Sequence, residues 1–184
     1  MKRILVIGPG GSGKSTFATR LGERLNLEVN HLDRFYWQPG WVKPSPEQWL
    51  KTVEELVSRD SWVIDGNFSG TLELRARNCD TIVFLDLSRV LCLWRIAKRL
   101  LRYRNGTRPD MAEGCREKID LDFVLWIWNY SRRSKPKVLR LLREYSQTKK
   151  IVRLRSRAEV ERFLKSATTK NDDQVHHESM ESVP

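Results

Sequence analysis

Gly8-Pro9-Gly10-Gly11-Ser12-Gly13-Lys14-Ser15 has the spacing G-x-x-x-x-G-K-[ST] of a phosphate-binding loop. Glycines at these positions let consecutive backbone N–H groups converge on an anion. The Lys14 ammonium is then placed to reach the β- and γ-phosphates of a nucleoside triphosphate, and the Ser15 hydroxyl to bind Mg²⁺. Pro9 fixes one φ angle and removes one donor, which a loop of this length tolerates.

Further residues fit phosphoryl transfer, a reaction that needs alignment, Mg²⁺ and positive charge more than covalent help. Asp65 precedes Gly66, whose missing side chain lets the backbone approach a ligand, and Asp65 is expected to hold a water on Mg²⁺. Asp33 has two readings: it accepts a proton from, or orients, a substrate hydroxyl, or it is a helix-capping or turn residue. Asp86 is open to a site role or, as the favoured reading, caps the helix that follows. Arg95 and Arg99 are one helical turn apart and share a face, where they can spread over the charge of the moving phosphoryl group. Arg132 and Arg133 are candidates to close from the other side; the bland reading of all four is a solvated helix surface. Trp37, Trp41, Trp126 and Trp128 read first as packing residues; Trp37 and Trp41, in a loop above the expected acceptor site, have the better claim to a ligand, and His31 reads as a strand residue.

The elements that must position these residues follow from hydrophobic period. Ile4-Leu5-Val6-Ile7 is a short apolar run without alternation, as in a parallel strand buried on both faces, and Ser15 to Leu25 has helical spacing. Further strands are expected at Leu27–Leu32, Trp62–Ile64, Thr81–Leu85 and Ile151–Leu154. Helices are expected from Ser45-Pro46 to about Ser58, around Thr71–Arg77, and from Ser88 onward. Later helices read as Leu121–Tyr130, Pro136–Tyr145 and Arg157–Leu164, with a loop at Asn105–Gly114. The pattern predicts an α/β P-loop NTPase fold: a five-stranded parallel sheet flanked by helices, with an arginine-rich helical lid. Ligands in such sheets bind at the carboxyl ends of the strands, where Asp33, Asp65 and Asp86 fall.

The 184 residues suit one domain, over about 1–166, with a polar tail at 167–184 expected to be disordered. No apolar stretch is long enough to span a membrane, and the amino end is too short for a signal peptide. Cys79, Cys92 and Cys115 show no C-x-x-C spacing and read as reduced thiols of a cytoplasmic protein. The net charge of +11 is uneven: Arg89 to Arg143 holds fifteen Lys or Arg against five Asp or Glu. Such a block can bind nucleic acid backbone or fold over the phosphates of small substrates.

The phosphate loop, Asp65-Gly66 and Leu93-Trp94-Arg95-Ile96-Ala97-Lys98-Arg99 resemble adenylate kinase and its small-molecule kinase relatives. His31-Leu32-Asp33, Trp62 to Asn67, Thr107 to Cys115 and Trp126 to Tyr130 resemble the bacterial DNA topology modulation proteins, related to a flagellar regulator, over about residues 1–165. The resemblance implies ATP and Mg²⁺ as cofactors and Gly8 to Thr16 as the triphosphate cradle. It also implies Arg95 and Arg99 near the phosphates, and a mobile lid over about 101–133. Adenylate kinases carry an arginine shortly after Asp-Gly that grips the monophosphate; this chain has Ser69, Gly70 and Thr71, with Arg75 or Arg77 as possible substitutes. The Asp33 position resembles that of kinases acting on a sugar or nucleoside hydroxyl. The leading expectation is an ATP-dependent phosphotransferase acting on a nucleoside, nucleotide or other small acceptor. The alternative is a nucleotide-regulated, nucleic-acid-binding NTPase affecting DNA topology, against which stands the absence of a DNA-binding motif.

Overall fold

The computed structural model describes residues 1–103, 110–112, 114–115 and 121–167. The expected tail beyond Ala167, and the expected lid at 104–109, 113 and 116–120, lie outside the described residues.

Five strands, β1 (Arg3–Ile7), β2 (Val29–His31), β3 (Trp62–Asp65), β4 (Thr81–Leu85) and β5 (Lys150–Leu154), form one all-parallel sheet in the order β2-β3-β1-β4-β5. The central strands are apolar in continuous runs because both their faces are covered. Leu5, Ile7, Ile64 and Phe84 face one core, closed by α3 (Pro46–Val57), α4 (Leu72–Asn78) and α7 (Lys135–Glu144). Ile4, Val6, Val63 and Val83 face the other, closed by α1 (Lys14–Leu25) and α8 (Arg157–Ser166). The three remaining helices, α2 (Leu32–Tyr36), α5 (Arg89–Arg102) and α6 (Leu121–Arg133), sit at or near the carboxyl edge of the sheet.

Local chemistry sets several boundaries. Ser45 and Gln48 make a reciprocal capping box at the start of α3, with Pro46 at the first helical position. Ser88 caps α5 by accepting from the Leu91 N–H. That corrects the reading of Asp86 as the cap: its carboxylate instead pairs with Lys135 at 2.9 Å and Arg153 at 2.5 Å, tying α7 to β5.

The second strand is shorter than its apolar run suggests. It stops at His31, and Leu32 is wholly buried beneath Gly66 at the start of α2. Asp33 therefore lies in the first turn of a short helix, not at a strand end, and the helix N-cap is His31.

α6 packs along α5 and presses onto the phosphate loop: a Cβ on Gly10 would meet Phe123 at 2.7 Å and Ile127 at 3.1 Å. Ile127 is fully buried with Leu87, Cys92 and Ile96. Among the described residues no helix is long and apolar enough to cross a membrane.

Candidate nucleotide and acceptor site

The loop between β1 and α1 turns at the carboxyl edge of the central strand, as the sequence pattern requires. Gly11 and Gly13 adopt φ of 77° and 89°, a region that favours glycine. A Cβ on Gly11 would also lie 2.3 Å from the Cys92 carbonyl oxygen of α5, so the loop and α5 approach at a distance only glycine permits. Lys14 bends back across the loop and donates to the Pro9 carbonyl at 3.1 Å. Burial lowers the Lys14 pKa, against the attraction of Asp65 and Asp33, which marks an ammonium short of negative charge.

Register brings the next group together. β2 and β3 are neighbours with His31 paired opposite Asp65, so both side chains emerge beside the start of α1. The Ser15 hydroxyl donates to Asp65 Oδ2 at 3.0 Å, and Asp65 Oδ1 pairs with His31 Nδ1. His31 Nε2 in turn lies 3.4 Å from Thr19 Oγ1. Burial acts to lower the His31 pKa, but the hydrogen bond and charge of Asp65 outweigh it and the net shift is upward. A hydroxyl and a carboxylate side by side fit Mg²⁺, which takes one or two protein oxygens and completes its shell with phosphate and water. Among the described residues no larger cluster of His, Cys, Asp or Glu could hold a metal by itself.

Asn67 and Arg75 are functional residues of a supporting kind that sequence reasoning misassigned or missed. Asn67 exchanges two bonds with Gly8: the Gly8 N–H donates to Oδ1 at 3.2 Å, and Nδ2 donates to the Gly8 carbonyl at 2.7 Å. This joins the turn after β3 to the first residue of the phosphate loop. Arg75 is completely buried and donates to the carbonyls of Thr71, Gly66, Asn67 and Phe68. Burial pulls its pKa down to about 9, still above neutrality, and its fork of donors holds the turn that presents Asp65 and Asn67. The suggestion that Arg75 or Arg77 grips an acceptor phosphate is thereby corrected. Arg75 is committed to carbonyls, and Arg77 is an exposed partner of Glu73.

A cavity of about 1300 Å³ runs along the carboxyl edge of the sheet. Gly10 to Phe17, Thr19, Arg20, Arg95, Arg99 and Arg157 line it beside the phosphate loop; His31, Asp33, Trp37 and Trp41 line it beyond β2, and Phe68 and Trp126 also border it. Arg95 donates to the Ser12 carbonyl at 2.9 Å, and so lies directly on the phosphate loop. The structure thus brings Gly10 to Thr16, Asp33, Arg95 and Arg99 to one cavity, with Asp65 beneath it. Gly8 and Pro9 support the loop from behind. Arg132 is not brought to the cavity: it and Arg133 are exposed in the last turn of α6, beyond Phe123 and Trp126, the α6 residues that line the space.

One backbone feature stands out at the β2 end. The turn Gln38–Val42 closes with Gln38 N–H donating to the Val42 carbonyl at 3.0 Å, and two consecutive residues, Gly40 at φ 78° and Trp41 at φ 67°, are left-handed. Glycine takes that conformation freely; a tryptophan does so at about 1–2 kcal/mol.

No protein-family model matches the chain, and no curated protein does. Among solved structures it is similar to shikimate kinase from Acinetobacter baumannii in complex with shikimate. That match has 17% identity and a TM-score of 0.54, and covers 99% of this chain and 96% of that one. It is also similar to shikimate kinase from Bacteroides thetaiotaomicron, at 18% identity and a TM-score of 0.50, over 95% of this chain and 98% of that one. The similarity shows the fold: this is a P-loop architecture of a five-stranded parallel sheet flanked by helices.

Proposed function

We propose that the protein is an ATP- and Mg²⁺-dependent phosphotransferase that moves a γ-phosphoryl group to a hydroxyl of a small acceptor. The observation that carries this reading is a single cavity with a phosphate loop at its centre and a carboxylate, Asp33, on its far wall. The cavity has two ends, set by strand order: β5 lies at one edge of the sheet and β2 at the other, with the phosphate loop following the middle strand. A nucleotide bound by the loop extends toward Arg95, Arg99 and Arg157, which leaves the β2 end for a second compound. The kinase names carried by the structural neighbours point the same way.

In this reading the loop N–H groups and Lys14 bind the triphosphate, and Ser15 and Asp65 hold Mg²⁺ directly or through water. Mg²⁺ held there would supply positive charge to offset that of the phosphates. The acceptor hydroxyl oxygen bonds to the γ-phosphorus as the bond from phosphorus to the β,γ-bridging oxygen breaks. The hydroxyl proton passes to Asp33, and ADP leaves. Arg95 and Arg99 stabilise charge spread over the transferring group. His31, through Asp65, is a positioning residue that fixes the carboxylate beside Ser15.

The reading of the chain as a nucleic-acid-binding regulator of DNA topology uses the same positive charge. Nine cations line the cavity, among them Lys14, Arg95, Lys98, Arg99, Arg102 and Arg157, which favours small phosphates as targets there. The test is ADP release with ATP and Mg²⁺ across nucleosides, nucleotides, sugars and hydroxy acids. One acceptor class raising release well above the basal rate supports the proposal; no stimulation by any of them contradicts it.

A further inference from the structure

Resting on the phosphotransferase reading, we infer that the acceptor is a hydroxyl compound bearing a planar ring and no phosphate, held against a rigid tryptophan pair, Trp37 and Trp41. Both line the β2 end of the cavity, where Asp33 lies.

The wall is built rather than incidental. Trp37 and Trp41 have ring centroids 5.2 Å apart at 67°, and Tyr36 stands edge-on to Trp37 at 4.9 Å. Tyr36 in turn packs on Phe68 at 4.5 Å and on the buried Trp49 at 4.9 Å. The aromatic surface facing the cavity is thereby anchored through a chain of rings into the main core. Residues beyond α5 secure it from outside: Cys115 Sγ donates to the Gln38 carbonyl at 3.3 Å, and Gly114 lies against Pro39. Met111, only 5% exposed, borders the same cavity.

The backbone of Trp41 carries the argument further. A left-handed residue after Gly40 closes this turn, and glycine or asparagine would do so without strain. A Cβ on the neighbouring Gly40 would meet nothing, so the turn itself stands at the solvent edge. Strain of this kind is retained where a side chain must point into a site. A large flat apolar face there recognises another flat face by stacking.

The charges indicate what the ring does not carry. The buried arginine of this region, Arg75, is spent on four backbone carbonyls. The described cations at the β2 end, Arg34 and Lys43, are exposed at the rim, and Lys43 sits 6.0 Å from the Trp37 ring centroid. A carboxylate, Asp33, faces the space instead. A nucleoside has the required chemistry: a planar base for the tryptophans and a free sugar hydroxyl for Asp33.

The experiment measures binding of adenosine, cytidine and thymidine, with shikimate, glucose and AMP as counterparts, in the presence of a non-hydrolysable ATP analogue and Mg²⁺. The variants are Trp41→Asn and Trp41→Phe. At least one nucleoside is expected to bind more tightly than shikimate, glucose or AMP. Trp41→Asn is expected to weaken that binding tenfold or more while the melting temperature holds or rises, because asparagine relieves the strained backbone. Trp41→Phe, which keeps a ring, is expected to retain most of the affinity. The inference is overturned by tighter binding of shikimate, glucose or AMP, by no nucleoside binding to a chain that holds the ATP analogue, or by a Trp41→Asn protein that binds as wild type. Failure to hold the ATP analogue at all would instead sink the phosphotransferase reading.

Discussion

Asp33 and Lys14 both line the cavity and have opposite tasks in the proposed reaction, and substitution separates them. Asp33→Asn keeps the shape and removes the proton acceptor, so phosphoryl transfer should fall by about 10²–10⁴-fold while ATP affinity stays close to wild type. Steady-state kinetics with parallel nucleotide binding checks this; equal loss of both would remove Asp33 from the acceptor side. At this scale the sequence was legible wherever a residue acts through its own local pattern, as Gly8 to Ser15 do. It was not legible where a role depends on register or burial. His31 reads as a strand residue, and only its place opposite Asp65 in the neighbouring strand gives it a partner. Arg75 reads as a substitute for a phosphate-gripping arginine; that it is fully buried under the turn after β3 is a matter of packing, which spacing does not encode.

Elements meet through a few such ties, and each makes a stability prediction. Arg75→Met would remove a donor from the Thr71, Gly66, Asn67 and Phe68 carbonyls, of which Phe68 keeps the Thr71 N–H. Unsatisfied buried acceptors cost roughly 1–3 kcal/mol each, so a loss of at least about 3 kcal/mol in urea unfolding is expected. A loss below 1 kcal/mol would show that the turn is held by something else. At the opposite edge of the sheet, Asp80 accepts from the Lys2 and Arg3 N–H groups at 2.7 and 2.8 Å, fastening β1 to β4. Burial acts to raise its pKa, but hydrogen bonds from Thr81, Arg3 and Lys2 prevail and lower it below the usual 3.8. A depressed carboxylate stabilises the fold above the unfolded pKa, and this is lost as pH falls through the folded value. Asp80→Asn should therefore lower the urea midpoint at pH 7 and flatten the decline in stability below about pH 4. A variant with the wild-type acid profile would contradict the tie. Strands and the capped start of α3 at Ser45-Pro46 were legible in the sequence, because period and local caps are read from neighbouring residues; the cap of α5 was read at Asp86 and lies at Ser88. The short helix α2 was not: Leu32 continues an apolar run, and only its burial under Gly66 shows that the strand has already ended.

Across the whole molecule, positive charge and sheet topology converge on one edge. The excess of Lys and Arg seen in the sequence suited DNA and small phosphates alike, since composition counts charges without saying where they face. In the folded chain nine of these cations line the cavity that holds the phosphate loop. Duplex DNA should accordingly bind weakly at physiological salt and without sequence preference, which a titration against salt concentration measures; tight binding with a steep salt slope would favour the DNA reading. The account rests most directly on the loop itself. Equilibrium dialysis of labelled ATP with Mg²⁺ against wild type and Lys14→Ala is predicted to give one nucleotide per chain for the first. The second should retain its fold by circular dichroism and lose most of that binding. Equal occupancy of the two proteins, or none by wild type, would contradict it.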